Sequence, residues 1–296
     1  SMTELDLGDN FDTRNVTNMV AMFGETGYNS MVTLNLGNKF DTSNVTEMSW
    51  MFSETGFKAM TKLDLESNFD TSNVISMYNM FRGTGYTEMT TLNLGSKFNT
   101  AKVTDMTGMF SSCGYTAMKS LDLGSNFDTS KVTDMTSMFQ ECGYTAMTSL
   151  ALGSKFNTAN VTTMEKMFYQ TGENKLETLN LGSQFNTSKV TNMVYMFREC
   201  GFSSMTSFSL GNLFDTSNVT DMNNMFYQFG CENLQSLNLG DKFNTSKVIN
   251  MDFMFAGCGQ NKMTTLDLGD KFYTTSAERM NYMFHATGQY LMTTLD

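Results

Sequence analysis

Few side chains in this 296-residue chain could carry out acid–base, nucleophilic or metal chemistry. His285 is the single histidine, and one histidine without a partner group forms neither a catalytic triad nor a zinc site. The cysteines are Cys113, Cys142, Cys200, Cys231 and Cys258. No two of them form a CxxC pair of the metal-binding or redox type. The sequence therefore predicts a protein without catalytic residues, metal site or cofactor.

Two other residue classes invite a chemical interpretation. The acidic phrase DLGDNFD, residues 6–12, contains oxygen ligands of the type that calcium prefers, but Ala151 replaces Asp6 in another copy of the phrase. A turn-capping role is therefore favoured. The 29 methionines could bind copper or line a promiscuous groove. Thioether side chains more commonly fill gaps in a core, so packing is the favoured interpretation for them.

A repeated phrase determines how these residues must be placed. The phrase FDTSNVTEM, Phe40–Met48, recurs with small changes at a fixed period of 29 residues. The ten copies begin at Phe11, Phe40, Phe69, Phe98, Phe127, Phe156, Phe185, Phe214, Phe243 and Phe272. A fixed period of this length is the signature of a repeat architecture. We expect residues 1–296 to form a single solenoid of ten repeats, and to be an excised fragment of a longer surface protein, because neither end shows the polar cap that solenoids need.

One repeat predicts a strand followed by a corner and a short helix. Residues 33–36 alternate polar and apolar side chains, which is typical of a half-buried strand. Val45, Met48, Met51 and Phe52 recur at three- and four-residue spacing, which predicts one face of a helix. The expected fold class is therefore an α/β repeat solenoid with one parallel strand and one short helix in each 29-residue rung.

Several repeat positions hold the same residue type in all ten copies. Methionine is invariant at the positions of Met19 and Met22, and phenylalanine at those of Phe11 and Phe23. Stacked rungs would join these side chains into a continuous core. Threonine is invariant at the position of Thr42. Polar side chains of this kind hydrogen-bond to backbone groups in turns, which predicts a polar corner between strand and helix.

The corner carries two further expectations. Asn44 and Glu47 have the spacing of a helix capping box. Cys113 and Cys142 lie one repeat apart, so a disulfide between neighbouring rungs is an open alternative if their Cα atoms come within about 7 Å.

The overall charge excludes some classes of partner. The formal net charge is −11 and the pI is about 4.6. Nucleic acids and anionic membranes are bound through lysine and arginine, so neither is an expected partner. The chain also contains no apolar run of about 18 residues, and we expect no membrane insertion by this segment.

The phrase DTSNVTEMSWMF, residues 41–52, resembles the repeats of BspA-like leucine-rich repeat surface proteins of bacteria. The resemblance recurs in every rung. It implies a right-handed solenoid of leucine-rich-repeat type on the bacterial cell surface or secreted, and adhesion to host matrix or cell-surface proteins. It implies no shared catalytic residues. The sequence departs from ordinary leucine-rich repeats at Lys39, where asparagine is usual, so the invariant threonine is expected to replace the asparagine ladder.

Two surfaces are candidate binding sites. The first, called the strand face, is the outward side of the predicted strands: Thr33, Asn35, Asp64, Thr91, Asn93 and Asp122. Solenoids commonly bind partners on such a face, although it could simply be solvated. The second, called the aromatic ladder, follows the recurrent glycine in the first five rungs: Tyr28, Phe57, Tyr86, Tyr115 and Tyr144. Exposed aromatic side chains mark interaction sites, but these could instead pack under the loops.

The leading functional hypothesis is a noncatalytic adhesion or protein-binding module. Its partners would be host matrix or cell-surface proteins, with glycans as a further candidate. The alternatives are a structural spacer or stalk that presents another domain, and a glycan-binding surface. Ice binding is disfavoured because Lys62, Lys119 and Glu177 interrupt the flat array of hydroxyl groups that it would need.

Overall fold

The computed structural model describes residues 2–66 and 68–296 and shows a parallel β-solenoid of about ten turns, each about 29 residues long. Each turn contributes one short strand. The strands are β1 Glu4–Asp6, β2 Thr33–Asn35, β3 Lys62–Asp64, β4 Thr91–Asn93, β5 Ser120–Leu121, β6 Ser149–Ala151, β7 Thr178–Asn180, β8 Ser207–Ser209, β9 Ser236–Asn238, β10 Thr265–Leu266 and β11 Thr294–Leu295. Paired strands are parallel and in register one repeat apart, as Leu5 opposite Leu34 illustrates.

A second line of parallel pairing runs along another side of the coil. Nine single bridges join residues 29 positions apart, from Asn18 opposite Glu47 to Asn250 opposite Arg279. Each rung is therefore joined to the next through this line, as well as through its strand. The predicted strand in every rung and the predicted parallel stacking are both confirmed.

The predicted short helix is wrong, because the described residues contain no helix. In an α-helix every amide donates to the carbonyl four residues earlier. Here the amides alternate between two partners. Trp50 N donates to Tyr78 O in the next rung at 2.8 Å, whereas Met51 N donates to Met48 O, three residues back, at 3.2 Å. The segment is a series of tight turns whose backbone is shared with the neighbouring rung.

Backbone conformation also excludes the helix. Trp50, Glu54 and Gly56 have φ values of 61°, 56° and 54°, in the left-handed region that interrupts a right-handed helix. The capping box is absent for the same reason. Asn44 instead donates from Nδ2 to Arg14 O in the preceding rung, at 2.7 Å. Val45, Met48, Met51 and Phe52 are buried as predicted, but no helix carries them.

The core is a continuous stack of identical side chains. Phe23 and Phe52 stack with ring centroids 5.4 Å apart, and Phe52 and Phe81 at 5.6 Å. The invariant methionines of the internal rungs, such as Met48 and Met51, are fully buried. The predicted continuous core is confirmed, and it explains why one rung cannot fold alone: each apolar face is covered only by its neighbours.

The invariant threonine links the corners of successive rungs. Thr42 Oγ1 donates to Asp70 O in the next rung at 2.8 Å, and Thr42 is fully buried. Thr71 Oγ1 donates to Asn99 O at 2.8 Å and also accepts from Asn99 N at 2.7 Å. One hydroxyl thus satisfies both backbone groups of a neighbouring residue. A threonine ladder therefore supports the stack, as the sequence predicted.

Candidate binding surfaces

The strand face lies where the sequence placed it. Thr33, Asn35, Thr91, Asn93 and Asp122 are exposed, and Asp64 is half-buried. Thr33, Asn35, Asp64, Thr91 and Asn93 lie on β2, β3 and β4, and Asp122 directly follows β5. The structure thus brings all six residues together along one side of four neighbouring rungs.

Much of the polar capacity of this face is used within the protein. Asn35 Oδ1 accepts from Gly37 N at 3.0 Å, and Asp122 Oδ1 accepts from Gly124 N at 2.9 Å. Asp64 accepts from Asn93 Nδ2 at 2.9 Å and forms an ion pair with Lys62 at 2.8 Å. Partial burial raises the pKa of Asp64, but these hydrogen bonds outweigh it and hold that pKa below its ordinary value. This arrangement favours a turn-stabilising role for the Asn35 position.

The aromatic ladder is a row of parallel rings. The centroids of Tyr28 and Phe57 are 4.6 Å apart, those of Tyr86 and Tyr115 are 4.3 Å apart, and the interplanar angles are 6° and 9°. All five side chains are half-buried. Neighbouring rings cover one another's faces, so the rings pack from rung to rung, and each ring also keeps part of its surface exposed along the loops.

The ladder ends at Glu173, which occupies the ring position in the sixth rung. Its Oε2 atom is buried and is the one such side-chain atom without a hydrogen-bond partner among the described residues. Burial raises the pKa of Glu173, hydrogen bonds from the Tyr144 and Gln170 side chains partly oppose this, and the negative charges of Glu199 and Glu141 add to the rise. Burial, with a contribution from the Glu173 carboxylate, also raises the pKa of Tyr144.

A second aromatic surface was not identified from the sequence. Arg198 lies over the rings of Tyr169, Tyr195 and Tyr227, with its guanidinium carbon 5.8, 5.4 and 4.4 Å from the three centroids. Its Nη2 also pairs with Glu199 Oε1 at 3.0 Å. This Arg198 cluster arises from two repeat positions, those of Ala21 and Gly24, whose residue types change from rung to rung. The change of residue type at these two repeat positions was the sequence feature that could have revealed the cluster.

The residues that could do chemistry are dispersed. His285 is exposed and contacts Tyr282 edge-to-face, with a centroid distance of 5.7 Å. All five cysteines are free and buried, so the alternative of a Cys113–Cys142 disulfide is not realised. Burial raises the pKa of Cys142 to about 12. Within residues 2–66 and 68–296, no three histidine, cysteine or acidic side chains are grouped as metal ligands would be.

These features define the class of the protein: a parallel β-solenoid of 29-residue repeats, with its most varied side chains on the loop and turn faces. The chain belongs to the family described as "Mycoplasma protein of unknown function, DUF285", which it matches in five overlapping segments, residues 2–119, 54–180, 114–210, 143–258 and 199–293. That description names neither BspA-like nor leucine-rich repeat proteins.

Comparison with curated proteins found no match, and comparison with solved structures found none either. In the part of the chain that the structure describes, no helix has the length and apolar character that spanning a membrane requires.

Proposed function

We propose that this chain is a noncatalytic adhesion or protein-binding module, displayed on the bacterial cell surface or secreted, that binds host matrix or cell-surface proteins. The observation that carries the proposal is the aromatic ladder. Five half-buried aromatic rings follow one another at intervals of 4.3–4.6 Å, which gives a row about 18 Å long on a single surface. The resemblance to BspA-like repeats supports the location and the class of partner.

The physical argument rests on preorganisation. Tyrosine, tryptophan and arginine are enriched among the residues that dominate binding energy at protein interfaces. Each ladder ring is held by its neighbours, and the backbone beneath it is hydrogen-bonded from rung to rung, as Lys58 N to Tyr28 O at 2.9 Å shows. A partner would therefore meet side chains that are already ordered, and binding would cost little additional conformational entropy.

A spacer that presents another domain is the second candidate. The nine successive bridges between rungs favour it, because they make a regular and continuous rod. A glycan-binding surface is the third, and the hydroxyl groups of the ladder tyrosines favour it.

The test is to measure binding of this chain to immobilised matrix proteins, cell-surface proteins and glycans, with two variants that borrow residues from the protein's own repeats. The ladder variant combines Tyr86→Gln and Tyr115→Gln, since Gln260 and Gln289 occupy the same repeat position. The strand-face variant combines Asn35→Ser, Asn93→Ser and Asp122→Ala. Ser209 and Ala151 occupy that repeat position, so the fold should tolerate both.

We expect wild-type binding to at least one protein, loss of that binding in the ladder variant and retention in the strand-face variant. Loss only in the strand-face variant would move the site to the strands. Binding to glycans alone would favour the third candidate. A folded wild-type chain that binds nothing would favour the spacer.

A further inference from the structure

Lysine is concentrated at the corners of rungs four to seven, although the protein as a whole is acidic. These four corner segments are residues 95–104, 124–133, 153–162 and 182–191, and they contain five basic side chains and one acidic side chain, Asp128. The corner segments of the first three rungs differ, with two basic and five acidic side chains. We call the five exposed lysines the corner stripe: Lys97, Lys102, Lys131, Lys155 and Lys189.

The corner stripe occupies two repeat positions on one face of the coil. Phe98, Thr100 and Val103 are buried, so the lysines beside them are left on the outer side of the corner. Successive corners lie against each other, because Thr129 N donates to Lys155 O in the next rung at 3.4 Å. At about 4.8 Å per rung, the stripe is about 14 Å long.

A groove runs between the two repeat positions where the coil begins. It has a volume of about 470 Å³. Lys39 and Lys97 line it from the first position, and Arg14 and Ser43, which directly precede the second position, line it from the other side. An extended ligand along the coil would therefore lie between the two rows of side chains.

Amides, rather than carboxylates, hold the lysines of the corner stripe. Lys102 Nζ donates to Asn73 Oδ1 in the preceding rung at 2.6 Å, and Lys189 Nζ donates to Asn160 Oδ1 at 2.7 Å. An ammonium group has three N–H donors, so one bond to a neutral amide leaves two donors and the full charge for a ligand.

Basic side chains on other parts of the coil are neutralised. Within residues 2–66 and 68–296, no stripe lysine forms an ion pair, whereas six other basic residues do: Arg14, Lys62, Arg82, Lys166, Arg198 and Arg279. The one acidic residue of the four corners, Asp128, accepts from Ser130 N at 2.8 Å and so caps its own turn. The stripe is therefore a local positive surface on a protein of net charge −11.

The chemistry of this face fits an acidic polysaccharide. Ammonium groups form charge-assisted hydrogen bonds with anionic oxygens. The remaining exposed side chains of the four corners are serine, threonine, asparagine and glutamine, which hydrogen-bond to sugar hydroxyl groups. At about 0.15 M salt, charges more than about 8 Å away are largely screened, so the ligand responds to the stripe more than to the net charge.

Other polyanions fit this face less well. Every phenylalanine and valine of the four corners is buried, so the face lacks the apolar and aromatic anchors that dominate protein interfaces. The four corners also contain no arginine and no exposed aromatic ring, the groups on which the bases of single-stranded nucleic acids stack.

We propose that the corner stripe binds a linear acidic polysaccharide that carries sulfate or carboxylate groups, with the polysaccharide chain lying along the coil. This inference goes beyond the proposed function, because it assigns a second ligand to a surface that shares no residue with the aromatic ladder. Each exposed ion pair contributes little alone, so binding depends on several lysines acting together.

The test measures Kd by fluorescence anisotropy at about 0.15 M salt. The labelled probes are a heparin oligosaccharide, a hyaluronan oligosaccharide, neutral dextran, poly-L-glutamate and single-stranded DNA. The stripe variant combines Lys97→Asn, Lys131→Asn and Lys155→Asn. Asn68 and Asn73 occupy the same two repeat positions, so we expect this variant to fold, and circular dichroism verifies it.

A matched control removes three positive charges outside the corners. It combines Lys119→Gln, Lys175→Asn and Lys262→Asn, all at exposed positions. Gln235 and Asn233 occupy the same repeat positions, so the fold should tolerate these changes as well. The two variants have the same net charge, and any difference between them measures the location of the lysines.

We expect the Kd for the heparin or hyaluronan oligosaccharide to rise at least tenfold in the stripe variant and less than twofold in the control, with no binding of dextran. The tighter of the two acidic oligosaccharides identifies sulfate or carboxylate as the recognised group. Equal weakening by both variants, binding of dextran, tighter binding of poly-L-glutamate or DNA, or no binding by the wild type overturns the proposal. Binding of matrix proteins that persists in the stripe variant supports the proposed function separately, whatever the polysaccharide result.

Discussion

Replacing Thr71 by valine should weaken the junction between two rungs. Thr71 is fully buried, and its Oγ1 serves both backbone groups of Asn99, with donor–acceptor distances of 2.8 and 2.7 Å. Valine has nearly the same shape but neither donates nor accepts. The substitution therefore removes two hydrogen bonds without opening a cavity, and its cost measures the threonine ladder directly.

The magnitude follows from the two groups left without partners. Each buried backbone group that loses its hydrogen bond costs about 1–3 kcal/mol. The additional buried methyl group returns about 0.8 kcal/mol. Asn99 is half-buried, so water can partly replace the lost partner. We therefore expect the free energy of unfolding to fall by about 2–4 kcal/mol.

The assay is urea denaturation followed by circular dichroism, combined with hydrogen exchange at the Asn99 amide. Thr90→Val is the matched control, because Thr90 is exposed and donates to Thr61 O in a long bond of 3.3 Å. That variant should change the free energy of unfolding by less than about 0.5 kcal/mol. Thr71→Ser keeps the hydroxyl and should lose only about 1 kcal/mol, for the missing methyl.

Equal costs for Thr71→Val and Thr90→Val would refute the assignment of the buried threonine as a rung connector. A large cost for Thr71→Ser would do so as well, since it would show that shape, rather than the hydroxyl, stabilises the corner. Unchanged exchange protection at the Asn99 amide in Thr71→Val would show that this amide has another partner.

Four further predictions concern the ladder, the turns and the thiols. Gly85→Ala should cost at least about 3 kcal/mol, whereas Gly153→Ala should cost only the left-handed backbone penalty of about 1–2 kcal/mol. The added Cβ would lie 2.3 Å from Met89 Cβ in the first case, with no atom within 4 Å in the second; equal shifts in Tm would contradict this reasoning. Glu173→Tyr should raise the free energy of unfolding by about 1–3 kcal/mol, because it adds two stacked pairs and removes a half-buried carboxylate whose Oε2 atom has no hydrogen-bond donor; a lower Tm would count against the account of the ladder. The gain from Glu173→Gln should be largest above the raised pKa of Glu173 and shrink as the pH falls toward 4.5, because the native state then takes up a proton before the unfolded state does; a constant difference in Tm between pH 4 and 8 would disprove it. Cys142, whose pKa is raised by burial to about 12, should react with a thiol reagent only after unfolding, and rapid labelling of the native protein would show that its rung opens.

The strands, the core and the corner were predictable because each depends on the residue types at single repeat positions. Alternating residues at 33–36 indicate a strand in any context, and the invariant phenylalanines had to be covered by one another. The position of Thr42 was informative because threonine recurs there without exception. This recurrence predicted a side chain that hydrogen-bonds to the backbone, although not which residue it bonds to.

The helix was mispredicted because three- and four-residue spacing records only which side chains point inward. Tight turns at Trp50 and Glu54 give Met48, Met51 and Phe52 the same inward direction as a helix would. The choice between helix and turns depends on where the amides of Trp50 and Phe52 donate, and that partner is supplied by a different rung. No property of a single repeat contains this information.

The Arg198 cluster escaped prediction for the opposite reason. Repeat positions that hold one residue type throughout stand out in the sequence, whereas Tyr195 and Arg198 occupy repeat positions whose residue type changes from rung to rung. Their proximity depends on the turn at Tyr195, which has a φ of 58°. The ladder was predictable because the same repeat position is aromatic through five rungs, but the unsatisfied Oε2 of Glu173 depends on where the donors of neighbouring rungs lie in three dimensions.

The direction of the hydrogen bonds between rungs has a mechanical consequence. These bonds join the rungs in series, so under a pulling force along the coil every junction carries the full force, and the junctions break one at a time. Detaching one rung would release 29 residues, or about 100 Å of extended chain at roughly 3.3–3.6 Å per residue, where the folded rung occupied about 4.8 Å. A chain built in this way lengthens stepwise under tension, and it dissipates work at every step while the remaining rungs stay folded.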